Sequence, residues 1–170
     1  MNKSSAVLRQ HIILIKEIKM TEVNSNHIPD LTTGLPHEAA QAGLKEWHRI
    51  VAVLDWDSLP DLLTEDVIFR NPAAIESYHG KETMIAILGA VFSVMKDFTY
   101  LRHFGSRTGY VLEFSARVGD DVIFGVDLVE FNQEGKITDF MVMMRPANVV
   151  LNLSAEAGKR LAAAQHSSES

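Results

Sequence analysis

Asp127 is the residue whose surroundings point most directly to acid–base chemistry. It lies in the segment GVDLVEF, where its nearest neighbours along the chain are apolar. Burial penalises the charged form of a carboxyl group, so its pKa rises and it can act as a neutral hydrogen-bond donor or acid. Two alternatives remain open: a carboxylate paired with Arg102, Arg117 or Arg145, or one that points into a subunit interface.

Asn71 is a second candidate, because it stands before Pro72 at the end of a short predicted strand. An amide has no lone pair basic enough to remove a proton near neutral pH, so we expect Asn71 to orient a bound molecule. The structural alternative is an Asn-Pro strand terminator whose side chain caps the following loop.

Other kinds of site have little support in the sequence. The absence of cysteine excludes disulfides and thiolate catalysis and is compatible with a cytoplasmic location. The seven histidines show no metal-ligand spacing, and no glycine-rich phosphate motif is present, so neither a metal nor a cofactor is expected. A net charge of −6 without a basic run argues against nucleic acid, and no apolar run is long enough for a membrane span.

The spacing of the apolar residues predicts the helices and strands that position these candidate residues. Spacings of three and four predict helices over 38–54, 80–95 and 147–164, with a short helix capped by Asp57 after the first. Strand-like runs occupy 67–70, 98–104, 110–118, 122–132 and 136–145. The last four runs predict an antiparallel meander, and the whole order predicts an α+β domain with helices on one face of a curved sheet.

The last two predicted strands carry apolar residues on both faces. In 122–132, Phe124 and Leu128 lie on one face while Ile123 and Val129 lie on the other. The helices of one chain can cover only one side of the sheet. We therefore expect the other side to meet a second copy in a homodimer.

The chain is expected to form one domain. Residues 1–37 are predicted to be an N-terminal extension outside the core, with 1–19 separate from the fold. Residues 38–164 form the domain, and 165–170 are a polar tail.

Three stretches carry a family resemblance. They are VLDWDSLPDLLTEDVIFRNP after the first helix, YHGKETM at the start of the third, and the hairpin GVDLVEFNQEGKITDF. Together, over about residues 38–146, they resemble the SnoaL-like, nuclear-transport-factor-2-like superfamily, which includes ketosteroid isomerases and limonene-epoxide hydrolases. The resemblance implies a cystatin-like, cone-shaped α+β fold. A curved mixed or antiparallel sheet would have helices packed on its concave face, with a blind apolar pocket between them.

The resemblance also implies roles for the two candidates. The ketosteroid isomerases have, in the frame D-x-x-x-F-N-x-x-G-K, a protonated aspartic acid that donates to the developing oxyanion, and this position matches Asp127. Their proton-abstracting aspartate matches Asn71, so ordinary ketosteroid isomerisation is not expected. In the epoxide hydrolases an asparagine of this strand helps to hold the attacking water, but their aspartate falls at Val142.

The predicted pocket lining extends beyond these two residues. The oxyanion tyrosine of the isomerases falls near Trp47 and His48, which are expected only to shape the pocket or to supply a donor. The remaining predicted lining residues are Tyr78, His103, Phe140 and Val142. Trp47 is also compatible with a purely structural core position, and His103 with a surface or interface position.

The sequence thus predicts a small cofactor-free enzyme that binds a hydrophobic small molecule. The reaction would be an acid–base step: isomerisation, cyclisation, dehydration, hydration or hydrolysis, with Asp127 and Asn71 as the catalytic residues. The alternative is a module of the same fold that binds a small molecule or dimerises without catalysis.

Overall fold

The computed structural model describes residues 34–168, with side chains described to residue 164. The predicted extension 1–37 therefore lies outside the described residues except for its last four positions. The elements are α1 (Glu38–Val53), α2 (Leu59–Leu62), β1 (Leu63–Arg70), β2 (Tyr78–His79), α3 (Lys81–Val94), β3 (Lys96–Gly105), β4 (Gly109–Val118), β5 (Asp121–Phe131), β6 (Ile137–Arg145) and α4 (Ala147–Ser168).

Helix α1 begins where its first turn is capped. The Nδ1 atom of His37 accepts a hydrogen bond from the backbone N–H of Ala40 at 3.0 Å, which satisfies one of the unpaired donors at a helix start. The backbone N–H of His37 donates to the carbonyl of Arg107 at 3.2 Å, and Pro36 is buried. These two residues of the predicted extension thus contact the domain.

The corner after α1 differs in detail from the prediction. Ser58, not Asp57, precedes the short helix α2, and its hydroxyl donates to the Asp55 carboxylate at 2.7 Å. Strand β1 then begins at Leu63, four residues earlier than predicted. Its early part pairs irregularly with β6, with a shift of register between Leu63 and Ile68.

The six strands form one sheet in the order β2-β1-β6-β5-β4-β3. Strands β3 to β6 are the predicted antiparallel meander, and β1 joins its last strand in parallel. The two-residue strand β2, which the sequence analysis did not predict, pairs antiparallel with β1. The sheet is mixed and unclosed, and the predicted α+β class is confirmed.

The two faces of the sheet differ sharply in burial. On β5 the odd-numbered side chains, such as Ile123 and Val129, are buried beneath the helices. The even-numbered side chains face the other way, and Val122 and Phe124 are 43% and 37% exposed. Helices therefore cover only one face, here called the inner face, and leave an apolar outer face.

Helix α4 follows Pro146 and closes one side of the inner face. Val149, Val150 and Leu153 are buried against β4, β5 and the end of α3, as the predicted apolar stripe requires. The helical backbone continues to Ser168, so the first four residues of the predicted polar tail extend this helix. No helix in the described part of the chain is long and apolar enough to cross a membrane.

Candidate active site

A cavity of about 330 Å³ lies between the inner face of the sheet and helices α1, α3 and α4. Most of its lining is apolar, with aromatic rings from β1, α3, β3, β4 and β6: Phe69, Phe92, Phe98, Phe114 and Phe140. The polar side chains in the lining are few and come from different elements: Asn71, Tyr78, Asp127 and Ser154. An apolar cavity with a few convergent polar groups is the usual form of a small-molecule site.

Asp127 projects from β5 into this cavity and is only 5% exposed. Its register partners on the neighbouring strands, Leu112 and Val142, are apolar. Burial raises the pKa of Asp127 to about 7, although the hydrogen bond from Tyr100 acts in the opposite direction. Both protonation states of this carboxyl are therefore populated near neutral pH.

Gly125 helps to shape the surroundings of Asp127. A Cβ at this position would lie 2.4 Å from the Phe114 ring and 2.8 Å from the carbonyl oxygen of Met143. Only a residue without a side chain lets Phe114 lie over β5 at this point. The ring then forms part of the apolar wall beside the carboxyl group.

The three arginines that could have neutralised Asp127 are engaged elsewhere. Arg102 forms an ion pair with Glu113, and Arg117 donates to the carbonyl of Asp120 at 2.8 Å. The guanidinium of Arg145 lies over the Phe124 ring on the outer face, 5.2 Å from its centre. The ion-paired alternative for Asp127 is therefore not what the structure shows.

Tyr100 is the hydrogen-bond partner of Asp127, and the sequence analysis missed it. Its hydroxyl group donates to Oδ2 of Asp127 at 2.8 Å and accepts from Nε1 of Trp47 at 2.7 Å. The position of the isomerases' oxyanion tyrosine falls on α1, near Trp47 and His48, whereas Tyr100 reaches Asp127 from β3 across β4. The available signal was the alternation of Phe98 and Tyr100, which places both rings on the inner face.

Asn71 lies at the end of β1 and lines the cavity, and the oxygen atom of its amide group already accepts hydrogen bonds from the backbone. Its Oδ1 atom accepts hydrogen bonds from the backbone N–H groups of Ala73 and Ala74 at 2.8 and 3.0 Å. This is the predicted loop cap, and it leaves Nδ2 as the free end of the amide. Asn71 can therefore offer the cavity a donor but not an acceptor.

Four of the other predicted lining residues do reach the cavity: Trp47, Tyr78, Phe140 and Val142. Trp47 is also a core residue, since it is almost fully buried and its ring lies 5.0 Å from that of Phe140. This tryptophan therefore packs in the core and also forms part of the cavity wall. Tyr78 is 37% exposed and lies at the rim.

The two predicted histidines do not line the cavity. His48 follows Trp47 by one position, so α1 turns it away by about 100°, and its ring instead lies 5.0 Å from that of Tyr100. Burial lowers the pKa of His48, and the nearby His103 lowers it further. His103 is exposed on the edge strand β3 with its ring against Tyr110, and Leu112 separates it from Asp127 across the sheet.

Helix α4 contributes a wall that the sequence analysis did not include among the site residues. The side of α4 that faces the cavity carries mostly small or short side chains, Leu153, Ser154, Ala157, Gly158 and Leu161. Leu153, Ala157 and Leu161 recur at the four-residue spacing that predicts a helix over 147–164. The sequence alone does not indicate that a cavity, rather than a neighbouring side chain, faces the small residues.

This arrangement can support proton transfer in an apolar site. Asp127 can take up or release a proton near neutral pH, and Asn71 can donate a hydrogen bond to an oxygen atom of a bound molecule. Among the residues that the structure describes, no three histidine, aspartate or glutamate side chains lie close enough together to hold a metal ion.

Comparisons with known proteins agree with this fold. The family model of the SnoaL-like domain matches residues 44–140. The crystal structure of a steroid delta-isomerase from Pseudomonas aeruginosa is 40% identical in sequence, with a TM-score of 0.75. That match covers 78% of this chain and 99% of the isomerase. No curated protein sequence matches the chain.

Two further structures are similar. An uncharacterised protein with a cystatin-like fold from Silicibacter pomeroyi is 33% identical, with a TM-score of 0.68 over 72% of this chain and 87% of its own. An NTF2-like protein of unknown function from Mesorhizobium loti is 16% identical, with a TM-score of 0.57 over 64% of this chain and 93% of its own, which supports the fold alone. Because the family model spans more than half of the chain, the predicted resemblance is confirmed, and the protein belongs to the SnoaL-like domain family.

Proposed function

We propose that the protein is an enzyme that transfers a proton within a hydrophobic small molecule bound in the cavity. The observation that carries this proposal is the Asp127 carboxyl group, which lies in an apolar cavity without a cationic partner among the described residues. A purely structural position would favour an apolar residue, because a buried carboxyl group reduces stability when it ionises. Acids and bases that work near neutral pH are placed in such surroundings.

The substrate class follows from the lining. Aromatic and aliphatic walls favour a ligand with a rigid apolar body, and Asn71 with Asp127 favours one carbonyl or similar oxygen next to an acidic C–H bond. The 40% identity to a steroid delta-isomerase supports a cyclic enone or a related ketone. Because the described side chains supply both a proton acceptor and a donor, the proposal needs no cofactor.

The proposed step moves one proton between two carbon atoms. The ionised carboxylate of Asp127 removes a proton from the carbon beside the carbonyl group, and the electron pair moves onto the carbonyl oxygen to give an enolate. Nδ2 of Asn71 donates a hydrogen bond to that oxygen, which stabilises the developing charge. The enolate then collapses and takes the proton back from Asp127 at the same or another carbon.

Hydrogen–deuterium exchange in D₂O tests this proposal without knowledge of the natural substrate. We expect the wild-type protein to accelerate deuterium incorporation beside the carbonyl group of a steroid-like cyclic enone, measured by proton NMR. An apolar compound of similar size without a carbonyl group is the control for binding. Binding of the enone without any acceleration of exchange would contradict the proposal.

The second candidate is a binding module without catalysis. It is favoured by one observation: among the residues that the structure describes, Tyr78 is the only titratable side chain in the cavity lining apart from Asp127. Acid–base enzymes often use two such groups, one to remove and one to supply a proton. The exchange experiment separates the two candidates, because a binding module would take up the enone and leave its protons unexchanged.

We also propose that the protein is a homodimer formed through the outer face of the sheet. That face is apolar and exposed on β3, β5 and β6, where Phe104, Val122 and Met143 are 57%, 43% and 54% exposed. Large exposed apolar patches generally mark interaction surfaces. Sedimentation at micromolar concentration should give a species of twice the chain mass, and Met143→Glu should dissociate it. A wild-type monomer would contradict the proposal.

A further inference from the structure

The hydrogen bonds that join Trp47, Tyr100 and Asp127 can run in only one direction. The indole N–H of Trp47 has no acceptor capacity, so at 2.7 Å it must donate to the oxygen of Tyr100. The single hydroxyl proton of Tyr100 has no other acceptor among the described residues, so it points to Oδ2 of Asp127, 2.8 Å away. Oδ2 is therefore an acceptor, whether or not the carboxyl group is protonated.

This directionality distinguishes the two oxygens of Asp127. Oδ2 is held by Tyr100, whereas Oδ1 has no hydrogen-bond partner among the described residues, and the side chain lines the cavity. When Asp127 is neutral, its proton lies on Oδ1, because a proton on Oδ2 would point at Tyr100 and leave the buried Tyr100 hydroxyl proton without an acceptor among the described residues. The hydrogen bonds need not rearrange when Oδ1 gains or loses that proton, which is the property expected of a preorganised site.

We infer that Tyr100, itself held by Trp47, is a positioning residue that presents Oδ1 of Asp127 to the cavity as the reacting oxygen and stabilises the ionised form of the carboxyl group. Tyr100 does not line the cavity, so it acts through Asp127 and does not touch the substrate. The inference rests on the proposed function, because it assigns roles to the two oxygens of the proposed base.

The energetics agree with the geometry. Burial raises the pKa of Asp127, and the Tyr100 hydrogen bond lowers it again towards neutrality. Burial and the charge of Asp127 in turn raise the pKa of Tyr100 well above its usual value, so Tyr100 remains a donor. The other titratable groups nearby among the described residues are Tyr78 in the cavity lining, His48, whose ring contacts that of Tyr100, and His103 of β3, which is close to His48 and opposite Leu112.

The pKa of Asp127 in Tyr100→Phe provides the test. Carbon-13 NMR of the labelled carboxyl group should show this pKa raised by about one to two units relative to wild type, because a hydrogen bond to a charged group is lost. The exchange rate should then reach half of its maximum at a correspondingly higher pH, with a larger effect on kcat than on KM. Tyr110→Phe is the matched control, since Tyr110 is also a buried inner-face tyrosine but does not contact Asp127.

Trp47→Phe is the second variant in case Tyr100→Phe folds poorly. It keeps an aromatic ring in the core but removes the indole N–H that donates to Tyr100, together with part of the packing of Trp47, so a smaller rise of the Asp127 pKa is expected. An Asp127 pKa in both variants equal to that of Tyr110→Phe would overturn the inference. The titration needs no substrate, so a raised pKa in Tyr100→Phe together with an inactive wild type would contradict the proposed function and still support the role of Tyr100.

Discussion

Replacing Asp127 by Asn is expected to lower the rate of enone proton exchange by about 10²- to 10⁴-fold, the contribution typical of a general acid–base group. Asn can still accept the hydrogen bond from Tyr100 through its amide oxygen, and it has nearly the same shape. Binding of the enone should therefore remain within a few-fold of wild type. Exchange rates and dissociation constants, measured side by side on the folded variant, separate loss of chemistry from loss of binding.

Asn71→Asp is the companion variant. One carboxylate oxygen can keep the hydrogen bonds from Ala73 and Ala74, and the other would replace the Nδ2 donor with a second base. We expect the single variant to exchange more slowly than wild type, because a carboxylate cannot donate to the enolate oxygen and repels its charge. Combined with Asp127→Asn it should restore part of the activity, because the base and the amide donor then exchange places. Undiminished exchange in Asp127→Asn alone would show that another group moves the proton.

The fold was largely predictable because its signals are local. The three- and four-residue spacing of Leu44, Trp47 and Val51 marks α1, and the turns between the last four strands mark the meander. Strand β2 was not predicted because two exposed residues are too few to show the alternation of buried and exposed side chains that marks a strand. Its pairing depends on the position of β1, which is a tertiary property.

The candidate site was predictable only in part, because its decisive contacts lie between distant segments. Asp127 and Asn71 stand out through their immediate neighbours in the sequence. Tyr100 is 27 residues from Asp127, and nothing local shows that its hydroxyl group reaches across β4. An irregularity in the pairing of β3 between Tyr100 and Arg102 also shifts the alternation, which brings His103 opposite Leu112 on an exposed edge.

Stability should fall as the pH rises, because of Asp127. The folded-state pKa of this group is about 7 and its ordinary value is 3.8. Between these pH values the folded chain keeps a proton that the unfolded chain has lost, so the free energy of unfolding decreases as pH increases. Each pKa unit corresponds to about 1.36 kcal/mol, so the whole interval represents about 4 kcal/mol.

Urea denaturation of wild type and Asp127→Asn at pH 5 and pH 8 measures this effect. Asn cannot ionise, so the variant should gain stability relative to wild type by roughly 2 to 3 kcal/mol between the two pH values. The difference in the free energy of unfolding between the two proteins cancels the contributions of other titrating groups. One of these is His48, whose lowered pKa makes stability rise with pH. Glu46, Asp55 and Glu156 are partly exposed carboxylates whose pKa values are lowered by hydrogen bonds from Arg49, Ser58 and Lys159, and these groups are the same in both proteins. A constant difference between the two proteins would mean that Asp127 is already ionised at pH 5 in the folded chain, which would contradict the raised pKa that burial gives this carboxyl group.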